Sequence, residues 1–143
     1  GNRRRLVRLY NKLENKEEIT FHKDKCLYPI KVIGLTTNRE ELYERINERV
    51  EEMFHKGLLK EIESLKDEYL NSRILNSGIG YKEFYDYLYN NKSLEAVKEE
   101  IKLNSRRFAK RQYTFFRNQF PTKCIEVDFN NFNNTIKEVI KNI

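Results

Sequence analysis

A chain of 143 residues has room for one ordinary domain, and at 38% hydrophobic and 13% aromatic it can bury a core. Charged residues make up 35% of it, and no apolar run nears the roughly 18 residues of a membrane span, so a membrane-spanning helix is excluded. Two cysteines, Cys26 and Cys124, are too few for a disulfide scaffold. The basic start is not followed by an apolar leader segment, so a cytoplasmic setting is expected. His22 and His55 do not share metal-ligand spacing with the cysteines, and no metal site is expected in this chain. Net charge is +6, yet residues 2–12 and 104–117 together hold ten Lys and Arg and no acid, leaving −4 on the remainder. Basicity concentrated in this way points to nucleic-acid phosphate as the partner.

In chain order, Leu6, Tyr10 and Leu13 recur at helical spacing beside Arg4, Arg8 and Lys12, which predicts a helix from residue 3. Only Gly1 and Asn2 precede it, so the chain reads as part of a longer protein. Residues 14–29 are polar and read as a connecting loop. Residues 31–37 are apolar and β-branched, and predict a buried strand. Asn38 then offers an N-cap, with Glu40 and Glu41 in the first turn where negative charge suits the helix dipole. Leu42, Ile46, Val50, Met53 and Phe54 continue that helix to Gly57, a natural stop. A second helix is expected over 58–70, with Leu58, Ile62, Leu65 and Tyr69 inward. A turn-rich break follows over 71–79. A short aromatic helix over 81–89 should place Phe84, Tyr85 and Leu88 in the core. Ser93 caps a long helix over 94–119, closed by Pro121. A strand at 124–129 and a helix at 135–143 complete the chain. The fold class is α/β and helix-dominated, with two short strands, five to six helices and a single domain over 1–143.

The 104–117 stretch carries the strongest functional signal. On a wheel of about 100° per residue, Arg106, Arg107, Lys110, Arg111, Thr114 and Arg117 share one arc of roughly 140°. Ile101, Phe108, Ala109, Gln112, Phe115 and Phe116 share the opposite one, which should pack on a core while the cations face phosphate. Arg45 and Arg49 lie four apart on the helix after the first strand, where α/β sheets bind ligands. They either pair with carboxylates such as Glu41 or clamp diphosphate oxygens. The 78–82 turn, Gly-Ile-Gly-Tyr-Lys, either permits positive φ ahead of a helix or lets a nucleotide approach the backbone, with Tyr81 stacking and Lys82 reaching phosphate. Four arginines within 3–8 favour phosphate contact. No G-x-x-x-x-G-K-[ST] occurs, so no phosphate-cradling loop is present.

Taken in order, these segments resemble the tRNA dimethylallyltransferases (tRNA isopentenyltransferases). The resemblance rests on Arg5-Leu6-Val7-Arg8, the strand Ile33-Gly34-Leu35, Leu42-Tyr43-x-Arg45-Ile46-x-x-Arg49-Val50, Gly78-Ile79-Gly80-Tyr81-Lys82-Glu83, and Arg107-x-Ala109-Lys110-Arg111-Gln112-x-Thr114-x-Phe116-Arg117. Phe115-Phe116 departs from the family's usual Trp-containing pattern and loses the indole donor.

The resemblance implies transfer of a dimethylallyl group from dimethylallyl diphosphate to the exocyclic amine of the adenine 3′ of the anticodon. That adenine would be extruded from its stack. Arg49 is then the catalytic arginine and, with Arg45, a diphosphate ligand. The segments implied to contact tRNA contribute Arg4, Arg5, Arg8, Ser77, Gly78, Gly80, Tyr81, Lys82, Arg107, Lys110, Arg111, Gln112, Thr114 and Arg117. The partners implied are the tRNA anticodon stem-loop and dimethylallyl diphosphate, with a monomer expected. The phosphate loop, the Asp general base and most Mg²⁺ contacts would lie in an N-terminal half absent from this chain, which alone is expected to be inactive. The strands would complete a parallel sheet of a P-loop NTPase-like core; without it they would lack sheet neighbours, leaving helix packing to hold the chain. The alternatives are a non-catalytic basic RNA-binding helical module and, less specifically, an adaptor for an acidic protein.

Overall fold

The computed structural model describes residues 2–17, 28–120 and 122–143. His22, Cys26, Pro121 and most of the expected 14–29 loop lie outside the described residues. The chain divides into two compact units, Gly1–Ile30 and Lys31–Ile143.

In the first unit, helix α1 (Arg3–Glu14) begins at an N-cap: the Asn2 side chain accepts a hydrogen bond from the Arg4 amide at 3.2 Å. The amphipathic pattern is real, but no residue of α1 is buried within its unit, and Leu6, Tyr10 and Leu13 stand exposed.

In the second unit, strand β1 (Val32–Thr36) leads into α2 (Arg39–His55), then α3 (Leu58–Ser64), α4 (Lys66–Tyr69) and α5 (Arg73–Ser77). A 3-10 turn (Lys82–Phe84) precedes α6 (Tyr85–Tyr89), the long α7 (Leu94–Gln119), β2 (Thr122–Glu126) and α8 (Phe132–Lys141). The architecture is the expected helix-dominated α/β class, with more and shorter helices than the five to six anticipated. The 58–70 helix breaks at Leu65 (φ −98°, ψ 7°), whose amide donates to both Glu61 and Ile62 carbonyls and so tightens the last turn of α3. The 71–79 break contains α5, because the Ser72 hydroxyl accepts from the Leu75 amide and caps a helical turn. The second strand and the last helix start earlier than expected, at Thr122 and Phe132.

The strands are not stranded without neighbours. They pair with each other in parallel, Val32 opposite Thr122 through Thr36 opposite Glu126, and the Val127 amide extends the ladder to the Thr36 carbonyl at 2.8 Å. Gly34 permits this approach: a Cβ there would lie 2.8 Å from the Thr122 side chain. Everything from α2 to α7 is the crossover that a parallel pair requires.

The core is helical. Val50, Leu58, Ile62, Tyr69, Leu75, Phe84, Val97 and Ile101 form one buried cluster. Phe84 stacks on Phe54 with centroids 5.8 Å apart and meets Tyr87 edge-on at 6.1 Å. Of the three residues expected inward from 81–89, Phe84 is buried and Leu88 packs against the cluster, but Tyr85 is 43% exposed. Its ring lies at the edge of the cluster, with centroids 6.5 Å from Tyr69 and 5.3 Å from Tyr89. Among the described residues no helix is long and apolar enough to cross a membrane.

Candidate nucleic-acid and anion-binding site

Helix α2 carries Arg45 and Arg49 because of how it starts. The Asn38 side chain accepts from the Glu41 amide at 2.8 Å, while the Glu41 carboxylate accepts from the Thr37 hydroxyl at 2.8 Å and the Asn38 side-chain amide at 3.3 Å. Glu41 is thereby committed to the cap, and the pairing with Arg45 does not form. Instead the Arg45 guanidinium lies over the Phe129 ring, 3.8 Å from its centroid. Arg49 is exposed one turn on, and among the described residues neither arginine makes an ion pair. The nearby Glu52 is hydrogen-bonded to Lys56 at 2.6 Å, which, with a smaller contribution from Arg49, holds its carboxyl below the usual range. Arg45, Ile46, Glu48, Arg49 and Glu52 line a shallow groove of about 570 Å³.

The opposite edge of α2 faces α7 through polar pairs. Glu51 meets Lys98 at 3.0 Å and Lys102 at 2.8 Å, and Asn47 accepts from Arg106 at 2.7 Å. The two lysines, Lys102 foremost, pull the Glu51 carboxyl below its ordinary value. The Arg106 guanidinium also sits 5.8 Å from the Tyr43 ring centre. Arg106 therefore leaves the cationic arc expected of it and belongs to the helix seam.

The remaining cations of α7 stand apart. Arg107, Lys110, Arg111 and Arg117 are exposed and make no ion pair among the described residues. The Thr114 hydroxyl donates to the Lys110 carbonyl at 2.9 Å and is occupied by its own helix. The aromatic face behind them is not braced as expected: Phe108, Phe115 and Phe116 are 45%, 53% and 45% exposed. Burial on α7 ends at Ile101: Asn104 and Arg106 still meet Glu83 and Asn47, but no residue from 107 to 119 is buried. Gln112 and Arg117 line a separate groove of about 550 Å³, with Tyr113 and Phe116 on one wall and Gly34 and Cys124 of the sheet on the other. The segment's site residues thus fall on two faces.

The 78–82 turn meets the positive-φ reading at one of its two glycines. Gly80 has φ +96°, which requires glycine, whereas Gly78 (φ −72°) is an ordinary conformation with the Ile74 carbonyl oxygen only 3.1 Å from where a Cβ would sit. The Gly80 amide donates to one carboxylate oxygen of Glu83 at 2.9 Å, and Asn104 of α7 donates to the other at 2.7 Å. Glu83 is 3% exposed, with the Lys82 ammonium 3.9 Å away. Tyr81 is tied at both ends: its hydroxyl donates to Glu61 at 2.8 Å and its carbonyl accepts from the Tyr69 hydroxyl at 2.7 Å. The Ser77 hydroxyl donates to the Arg73 carbonyl at 2.6 Å. The Lys82 side chain is 39% exposed and keeps its ammonium toward solvent. Burial, and then the Glu83 charge, push the Tyr69 phenol up to about 12.

In the first unit, Arg4, Arg5 and Arg8 are exposed, and Arg3, Arg4, Val7 and Arg8 line a shallow groove on α1. Glu83, Asn104 and Phe129 were not singled out from sequence as structural partners. The only available signals were the Glu closing the glycine motif and a polar Asn one turn beyond Ile101. Among the described residues no group of three or more His, Cys, Asp or Glu could hold a metal ion.

Residues 1–119 match the family described as IPP transferase. A tRNA dimethylallyltransferase of Geobacillus kaustophilus is 46% identical over 116 residues, covering 80% of this chain and 37% of that protein. One from Bacillus cereus is 44% identical over 111 residues, covering 78% of this chain and 35% of that protein. The crystal structure of a full-length tRNA isopentenylpyrophosphate transferase from Bacillus halodurans superposes with a TM-score of 0.72 at 37% identity, over 98% of this chain and 45% of that one. The chain thus spans less than half the length of these relatives, and the part matched is their C-terminal part.

Replacing Glu83 by Ala leaves the buried Gly80 amide without an acceptor, at a cost of about 1–3 kcal/mol, and frees the half-buried Asn104 side chain. Glu83→Gln, which keeps one carbonyl acceptor, should cost less; urea denaturation of the two variants checks the order. The Tyr69 phenol gives a second handle, since its raised pKa favours the folded state while it is protonated. That contribution is complete below the ordinary value of 10.0 and is lost as pH climbs toward about 12. Stability measured across this alkaline range should fall in the wild-type chain and fall less steeply in Tyr69→Phe.

Proposed function

The chain belongs to the IPP transferase family, and we propose that, within a full-length enzyme, it serves the transfer of a dimethylallyl group from dimethylallyl diphosphate to tRNA. The acceptor is the exocyclic amine of the adenine 3′ of the anticodon. The observation that carries this reading is the pair Arg45 and Arg49: two cations on one helix face, without an ion pair among the described residues, beside a groove.

In the reaction, the amine lone pair forms a bond to the allylic carbon as the carbon–oxygen bond to diphosphate breaks. The electron pair leaves with the diphosphate, and the amine then surrenders a proton. The task of this chain is electrostatic. Guanidinium donors that need not abandon a carboxylate partner can receive the departing charge without a reorganisation cost. Arg49 is assigned the catalytic role and Arg45 joins it in holding diphosphate. Mg²⁺, where bound in the full-length enzyme, would neutralise part of the same diphosphate charge. The general base and the phosphate loop are assigned to the portion of the relatives that this chain does not match.

The tRNA anticodon stem-loop is proposed to lie on the exposed cations: Arg107, Lys110 and Arg111 on α7, with Arg4, Arg5 and Arg8 on α1 and Lys82 at the glycine turn. Gln112 and Arg117 face the sheet-side groove, where a base edge or a sugar could be held. Ser77, Gly78, Gly80, Tyr81 and Thr114 contribute through backbone shape, since their side chains are absent or engaged within the fold. A tRNA substrate places the enzyme in the cytoplasm. A basic RNA-binding module without chemistry has no use for a second cation pair on α2, whose other edge is consumed by the α7 seam.

Arg49→Ala in the full-length protein should slow dimethylallyl transfer to an anticodon stem-loop by about a hundredfold, with tRNA affinity essentially retained. An unchanged transfer rate refutes the role.

A further inference from the structure

Phe129 stands outside the 1–119 stretch that matches the family, yet among the described residues it makes the closest cation–ring contact, 3.8 Å from the Arg45 guanidinium to the ring centre. It sits just past the carboxyl end of β2, beside the end of β1, on a segment held from several sides. The Val127 amide donates to the Thr36 carbonyl at 2.8 Å. The Asp128 amide donates to the Thr135 hydroxyl at 2.8 Å, and Thr135 is 3% exposed. The Asp128 carboxylate accepts from the Asn130 amide at 3.1 Å, the Asn131 amide at 2.8 Å and the Asn134 side chain at 2.9 Å. These bonds, led by the one from Asn134, also hold the Asp128 carboxyl below its ordinary range, so the bracket stays charged at neutral pH. The backbone on either side of Phe129 is therefore held, and with it the place from which the ring projects.

A guanidinium lying on an aromatic face uses its π surface there and leaves its edge free. Among the described residues the N–H donors of Arg45 make no hydrogen bond, and its position four residues from Arg49 keeps both cations on one face of α2. A long exposed arginine otherwise samples many rotamers, and ordering it on binding costs free energy.

We propose that Phe129 is a positioning residue for the diphosphate of the prenyl donor: it holds the Arg45 guanidinium flat, edge outward, at the groove that Arg45 shares with Arg49. This rests on the diphosphate reading of Arg45 given above, and it assigns to the segment beyond the family match a part in the site.

The test is steady-state kinetics of the full-length enzyme with dimethylallyl diphosphate varied at saturating tRNA. Phe129→Leu keeps the apolar volume and removes the π face. It should raise KM for dimethylallyl diphosphate about three- to tenfold, with KM for tRNA unmoved. Phe129→Tyr should restore the wild-type value. Combined with Arg45→Ala, Phe129→Leu should add nothing, because the ring acts only through that arginine. A wild-type KM in Phe129→Leu, beside a raised one in Arg45→Ala, overturns the positioning role and leaves the diphosphate reading standing. An unchanged KM in Arg45→Ala overturns that reading and this inference together.

Discussion

The contact between α2 and α7 is the constraint on which the rest of the second unit depends. Its apolar part is Val50 against Val97 and Ile101, within a cluster that also contains the fully buried Ile62 and Phe84. Burying such side chains is worth about 1.5–3 kcal/mol each. The polar seam alongside, Glu51 with Lys98 and Lys102 and Asn47 with Arg106, is half-buried, and desolvating such charges offsets much of what their attraction gains. The apolar contact therefore holds the helices together, while the seam decides their register and orientation. With the register set, Tyr43, Asn47 and Glu51 face α7, and Arg45 and Arg49 are turned to another side. The same contact carries α7 back past β1, so that β2 can pair with β1 in parallel.

This arrangement sorts the cations by partner. Lys98, Lys102 and Arg106 are committed to α2. Arg107, Lys110 and Arg111, within two turns of Arg106 on the same helix, have no carboxylate among the described residues. A binding face for phosphate requires cations of the second kind, since a paired one must first give up its partner. Glu83 extends the logic to the glycine turn: one buried carboxylate joins the Gly80 amide to Asn104 of α7, so the turn and the basic helix share a rigid frame. Two of the segments proposed to contact tRNA are thereby fixed relative to each other within the fold.

Local signals in the sequence were reliable where one residue answers to its nearest neighbours. Asn38 and Ser93 cap helices as their positions imply, Gly57 ends α2 with φ +101°, and the apolar spacing of Val50, Ile62 and Tyr69 marks the core. Ser72 was the exception among caps, because a serine in a turn-rich stretch serves turns equally well. Tertiary partners were not legible. The wheel placed Arg106 with the phosphate-facing cations, and the approach of Asn47 and Tyr43 from another helix removes it. The same wheel placed Phe108, Phe115 and Phe116 inward, but whether an apolar face is covered depends on what lies opposite, and these three rings stay exposed. For the same reason Phe129, more than eighty residues from Arg45, carried no signal at all.

The central claim is that cations without a carboxylate partner among the described residues, and not cations at large, form the proposed phosphate-binding face. The most direct measurement is the salt dependence of anticodon stem-loop binding by the full-length protein, compared between two double variants. Lys110→Ala with Arg111→Ala should make the slope of log affinity against log salt shallower by about 1.5, as two phosphate contacts are lost. Lys98→Ala with Lys102→Ala should lower stability and leave the slope as it was. Equal slopes in the wild type and the Lys110/Arg111 variant, or an equal flattening in both variants, would contradict the account.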